Sequence, residues 1–399
     1  RPRARPAAAR GGRRLSPGAR PHVRAFGRTA VVALVGFGCA GTPERASSVG
    51  ASRSSEEDVP TLGRGSVSSW FGPDVIAGVL EESGRRYAFV EAPELEPSPL
   101  YALEPGEAGV RRLDPFLVVE RDVDGVPRLS SRTPPPSIAD AFERGAVALS
   151  ADRWGVALTH FQRCVDEAPD YFKGHTYLGR AWLFLDEPSR ARAHFARAIE
   201  LNPLDYQAHM FLADTWVAER RWRPAKHALT RAWTINPNSE AIRSRLRSVL
   251  HELDLRIRLR RLDPELAIRD SDDGALIQLG GARATRWLPL AACLACWRFE
   301  DRCSQRAPGD EDPLRLTMYR ECLLNQVATV AVRTDRGAGV GTDELSLMRA
   351  VRAGYLEALV LWEIVGRRTP VMMLLVTDDL RAEVEAYIDR FVYASNEVL

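Results

Sequence analysis

A mainly α-helical chain, built on a solenoid of helical hairpins with small mixed α/β flanks, is predicted by three observations. The first is self-similarity: sliding the sequence by 34 residues brings Gly145, Gly179 and Ala213 into register, then Ala157, Ala191 and Ala225, and Phe161, Phe195 and Leu229. The second is the alternation of small with large residues. Trp182, Phe195, Trp216 and Leu229 recur at helical spacing between alanines and glycines, as two closely approaching helices require. The third is punctuation: Pro169, Pro203 and Pro237 close successive repeats, each after Ala or Asn, where a helix must stop. A single unit of this kind cannot bury its own apolar face, so neighbours stack.

The stretch 138–240 resembles tetratricopeptide repeats. Its best copy supplies Leu178-Gly179, Trp182, Ala191, Phe195, Ala198 and Pro203 at the signature positions; the next supplies Leu212-Ala213, Trp216, Ala225, Leu229, Ala232 and Pro237. The first copy departs, with Arg144 where Leu is usual and Cys164 where Ala is usual. The resemblance implies three repeats and a capping helix over 138–262. It also implies a scaffold binding proteins or peptides, with no enzymatic activity, cofactor or small-molecule substrate. By position in the repeat, a partner groove would be lined by Lys173, Thr176, Arg180 and Phe184, and by Gln207, Met210, Asp214 and Val217. Residues 241–262 are expected to continue as one capping helix.

Ahead of the repeats, residues 1–38 carry nine Arg and no acid; the remainder holds 46 basic against 53 acidic residues. That body has no basic footprint for nucleic acid. The basic start, the short apolar run TAVVALVGFG and the small residues around Cys39 read as a signal peptide over 1–38, its core too short to span a bilayer. Cys39 after Gly38 resembles a bacterial lipoprotein lipidation site, although Gly36 and Phe37 depart from the usual pattern; the Arg13-Arg14 pair matches a twin-arginine signal poorly. Leader and repeats together resemble bacterial lipoproteins carrying tetratricopeptide repeats, tethered to an envelope membrane and facing the periplasm or exterior. Residues 39–60 read as a flexible tether.

Residues 61–133 read as a small mixed segment: a helix starting near Pro73, a strand at RRYAFVEA, and a hairpin turning near Asp124-Gly125. Residues 263–399 read as a C-terminal, helix-rich segment opening with a hairpin around Asp273-Gly274, an irregular connection being the alternative. Cys293, Cys296, Cys303 and Cys322 cluster there, which in an exported chain points to one or two disulfides, with three connectivities open. Zinc, buried thiols and redox catalysis at Cys293-Leu-Ala-Cys296 are the alternatives, and the spacing lacks the paired form of a zinc site. QVATVAVR could be a strand. The following glycines, Gly337, Gly339 and Gly341, match no phosphate-loop motif, and Thr342 is expected to cap a helix running from Asp343 to Gly366. His251-Glu252 lacks the second His of a zinc-protease helix, since Leu255 stands there. A last helix, capped by Thr377, carries an apolar stripe of Leu380, Val384, Tyr387, Ile388 and Phe391. The function expected is a docking scaffold of the bacterial envelope; the alternatives are an enzyme or metal protein centred on the cysteine segment, or a cytoplasmic adaptor.

Overall fold

The computed structural model describes residues 70–92, 113–121, 123, 127–258, 262, 266–271, 274–280, 284–306, 315–337, 339–366 and 369–395. The leader, Cys39, the tether and the Asp124-Gly125 turn lie outside the described residues.

Three consecutive antiparallel hairpins form the solenoid: α2 (Ala139–Ser150) with α3 (Trp154–Glu167), α4 (Phe172–Phe184) with α5 (Pro188–Leu201), and α6 (Tyr206–Ala218) with α7 (Trp222–Ile235). The small positions set how closely each pair approaches. A Cβ on Gly145 would stand 2.7 Å from the Phe161 ring, and one on Gly179 would stand 2.8 Å from the Phe195 ring. In the third hairpin Leu229 takes the ring's place, and there alanine, Ala213, is accommodated. Each hairpin turns through one left-handed residue: Asp152 (φ 56°), Asp186 (φ 62°) and Arg220 (φ 56°), again 34 apart.

The fourth helix, α8 (Glu240–Glu252), stacks on α7 as a cap. The expectation of one helix over 241–262 is corrected. Asp254 (φ 59°) repeats the left-handed turn in register, and the chain then enters strand β4 (Leu255–Ile257) instead of a returning helix. Thus α8 stands as the first helix of a fourth repeat, with strand where the returning helix would begin.

The flanks are interleaved. After α1 (Pro73–Glu82), strand β1 (Arg86–Ala92) pairs in parallel with β6 (Gly274–Gly280), which pairs antiparallel with β5 (Leu266–Ser271). The segment before the repeats therefore completes the sheet of the segment after them. Buried Phe89 lies opposite Ile277, and Ile277 opposite Ile268, giving the sheet an apolar face. The hairpin β2 (Leu117–Arg121) and β3 (Pro127–Ser131) forms as expected.

Helix α9 (Leu288–Phe299) is buried along most of its length and holds both disulfides: Cys296 bonds Cys303 on the short α10 (Asp301–Ser304), and Cys293 bonds Cys322 on α11 (Leu316–Asp335). The Cα separations are 5.8 and 5.2 Å. QVATVAVR is not a strand. It lies in α11, where packing against α9 overrides the β-branched composition. Thr342 is the first residue of α12 (Thr342–Arg352) rather than its cap; Gly341 caps it, donating its N–H to the Glu344 carboxylate at 2.8 Å. Gln326 and Arg333 also donate to Glu344, so this helix start already carries its own buried anion.

The expected Asp343–Gly366 helix is broken at Gly354 (φ 81°), after which α13 (Leu356–Leu359) widens into a π turn over Val360–Val365. A 3-10 turn at Pro370–Leu375 leads to α14 (Asp378–Tyr387), capped by Thr377 as expected. Val384, Tyr387 and Ile388 of the apolar stripe are buried in their own domain. The terminal strand β7 (Tyr393–Ser395) pairs with β4. Helix α7 carries the junction: Arg231 pairs with Asp378 and Glu385 at 3.2 and 3.0 Å, Lys226 with Asp389 at 2.9 Å, and Trp233 meets Trp362 edge-on.

Candidate partner-binding groove

The first helix of each hairpin contributes to one face, along which repeat-equivalent positions fall in a row. The groove residues expected from the sequence divide into two groups along it.

Near the helix starts the face is closed. Lys173 and Thr176, expected to meet a partner, are fully buried, and Met210 nearly so. The cause is Asp205, a residue the sequence reading missed. Its carboxylate takes the Lys173 ammonium at 2.8 Å, the Thr176 hydroxyl at 2.6 Å and the Gln207 backbone N–H at 3.1 Å. Asp205 is therefore at once the N-cap of α6 and the ionic link from α4 to α6. Lys173 also donates to the Gln207 side chain at 2.9 Å. Phe116, in the chain entering β2, lies 5.8 Å from the ammonium and edge-on to Phe142. Leu117 accepts a hydrogen bond from Asn202 through its carbonyl, which fixes this chain against the inter-repeat turn. Burial pushes the Lys173 pKa down against the opposing pull of Asp205 and Asp114.

A second device repeats along the solenoid. His175 and His209, 34 apart, each donate Nε2–H to the carbonyl of the preceding proline, Pro169 and Pro203, at 3.0 Å. Both are buried packing residues, and burial pulls His209 down to about 4.

Among the described residues the face is open toward the helix ends. Arg180 on α4 is half-buried, its guanidinium 5.5 Å from the Phe184 ring and 5.3 Å from the Phe211 ring. Its Nε is buried with no hydrogen-bond partner, and among the described residues no carboxylate pairs with it. The equivalent position on α6 is Asp214, which is held bidentate by Arg245 of α8 at 3.0 and 3.1 Å. Burial raises the Asp214 pKa while Arg245 lowers it. Burial also lowers the Arg180 pKa, and Arg245 adds to that. Ser248 holds the equivalent position on α8, and Arg245, one turn earlier on that helix, has already taken the acid. Phe184 is 46% exposed and stacks on Trp154 at 4.1 Å; Val217 is half-buried beside this row.

No family model matches the chain, and no curated protein matches it. Solved structures do. The first tetratricopeptide-repeat domain of human RPAP3 is 19% identical, covering 29% of this chain and 91% of that one, with a TM-score of 0.28. The TPR2B domain of yeast Sti1, solved in complex with pHsp70, is 20% identical, covering 30% and 99%, with a TM-score of 0.28. MamA protein is 12% identical, covering 58% and 94%, with a TM-score of 0.27. The hairpins, their 34-residue register and their ring-on-glycine contacts make residues 138–252 a tetratricopeptide-type solenoid. A disulfide-bonded domain follows and packs on its last hairpin.

Proposed function

We propose that the chain is a non-enzymatic docking scaffold of a bacterial cell envelope, lipid-anchored through Cys39, that holds segments of other envelope proteins in the open half of its groove. The observation that carries the docking reading is the division of the groove. The internal Lys173–Asp205 network closes one half, while Arg180 and the Trp154–Phe184 stack stand open in the other. An oxidising compartment suits the two disulfides, which cytosolic thiol pools would keep reduced. The basic-then-apolar leader ahead of Cys39 supports export, and a tether of small and polar residues would let the domain stand off its membrane.

The test places a photo-crosslinking amino acid at Val217 in the groove, or at Arg163 on the outer face of α3, in the full chain expressed in a bacterial envelope. Discrete adducts with the same few proteins from Val217 only are expected. Equal adduct patterns from both positions would remove the groove reading. Incorporation of a fatty-acid probe that persists in Cys39→Ser would remove the anchor.

A further inference from the structure

The groove has an electrostatic imbalance that names the chemistry of its occupant. Among the described residues Arg180 has no ionic partner, because Arg245 takes both oxygens of Asp214, the acid at the equivalent position on the next hairpin. Its guanidinium is partly stripped of water by Phe184 and Phe211 and carries an unpartnered buried Nε. A half-desolvated guanidinium next to open space is strengthened as a carboxylate receptor, because both its Coulomb attraction and its two-point hydrogen bonding act with less competition from water. Alongside lies an apolar shelf: exposed Phe184 on Trp154, with exposed Leu185 at the same helix end.

We infer that Arg180 binds an internal Asp or Glu side chain of an extended partner segment, whose neighbouring aromatic or aliphatic side chain rests on the Trp154–Phe184 shelf. The occupant is thus an acidic, apolar peptide segment of another protein. A basic segment meets a cation flanked by Arg245, and a purely apolar one leaves Arg180 uncompensated. The inference rests on the docking reading above and adds the side-chain chemistry that decides selection.

The test uses the full chain with its disulfides formed, and fluorescein-labelled peptides read by anisotropy. The probes are Gly-Glu-Phe-Glu-Leu-Gly with an amidated C-terminus, its Gln-for-Glu counterpart also amidated, and the Gln form with a free C-terminus. The Glu probe is expected to bind roughly tenfold tighter than the amidated Gln probe at low salt, with the preference shrinking as salt rises. Arg180→Gln should reduce the preference to within about twofold, while Arg180→Lys keeps part of it. Phe184→Ser should weaken both amidated probes and shrink the Glu preference without abolishing it, because Phe211 still covers the guanidinium. Far-ultraviolet circular dichroism and melting of each variant confirm the fold. Equal binding of Glu and Gln probes overturns the inference, as does a preference that survives Arg180→Gln in a folded protein. So does binding confined to the free C-terminus, or no saturation by any probe up to about 1 mM. Groove-specific crosslinks at Val217 without a Glu preference would sink this inference alone and leave the docking reading standing.

Discussion

Gly179→Ala isolates the packing rule of the solenoid. The new methyl would stand 2.8 Å from Cε1 of Phe195 and 3.1 Å from the Ala191 carbonyl oxygen, inside normal contact on both sides. The backbone neighbour cannot rotate away, and the ring is fully buried, so the strain falls on the α4–α5 approach. Overpacking of this kind costs about 1–3 kcal/mol. Alanine's better helix propensity returns about 1 kcal/mol. The net expectation is a loss of up to about 2 kcal/mol in urea unfolding followed by circular dichroism at constant m-value. The third hairpin supplies the control, because it carries Ala213 with Leu229 where the second has Gly179 with Phe195. Phe195→Leu alone should cost about 1–2 kcal/mol through lost burial and a residual cavity. The double variant should be more stable than the two losses added together, by about 1 kcal/mol or more, because the methyl fills the space the ring leaves. A stabilised Gly179→Ala, or strictly additive losses in the double variant, would refute the claim that ring-on-glycine contact sets the hairpin spacing.

Three further outcomes follow from the same structure. Asp205→Ala should destabilise by about 3–5 kcal/mol, since it leaves the Lys173 ammonium buried and uncompensated, whereas Lys173→Met with Asp205→Leu should recover most of that loss; equal melting of single and double variants would contradict it. Arg220→Gly should raise stability by a few tenths to about 1 kcal/mol, because φ 56° strains any residue with a Cβ and the turn needs no side chain there; a lower melting temperature would refute it. His209 is held near 4 in the fold against 6.5 unfolded, so the unfolded chain binds the extra proton between those values. Its contribution is therefore complete above about pH 6.5 and is lost as pH falls toward 4, by up to about 3 kcal/mol. In His209→Asn that part of the acid slope should vanish, and an unchanged slope would show that other groups carry it.

The repeats were legible because each rule that builds them is local and recurs. The 34-residue register, the small-against-ring positions and the closing prolines are all present in the chain order, and the structure returns three hairpins on the same residues. The covered outer face of α7 also left a trace. Thr230 and Thr234, both buried, stand where α5 has exposed Ala196 and Glu200, and Trp233 beside them meets Trp362. Three matters were decided only by tertiary structure. β1 joins β6 across the whole solenoid, and no short-range pattern encodes a parallel pairing at that separation. QVATVAVR becomes helix because α9 and a disulfide hold it, which outweighs a weak propensity. The groove is divided because position in a repeat says which way a side chain starts, whereas burial depends on what arrives from elsewhere: Asp205 from the next hairpin and Phe116 from the chain before the first. The sequence by itself determined the hairpins and where their inner face runs. Only the packing of distant segments onto that face decided which of its charges are spent inside the protein and which, as at Arg180, have no ionic partner among the described residues.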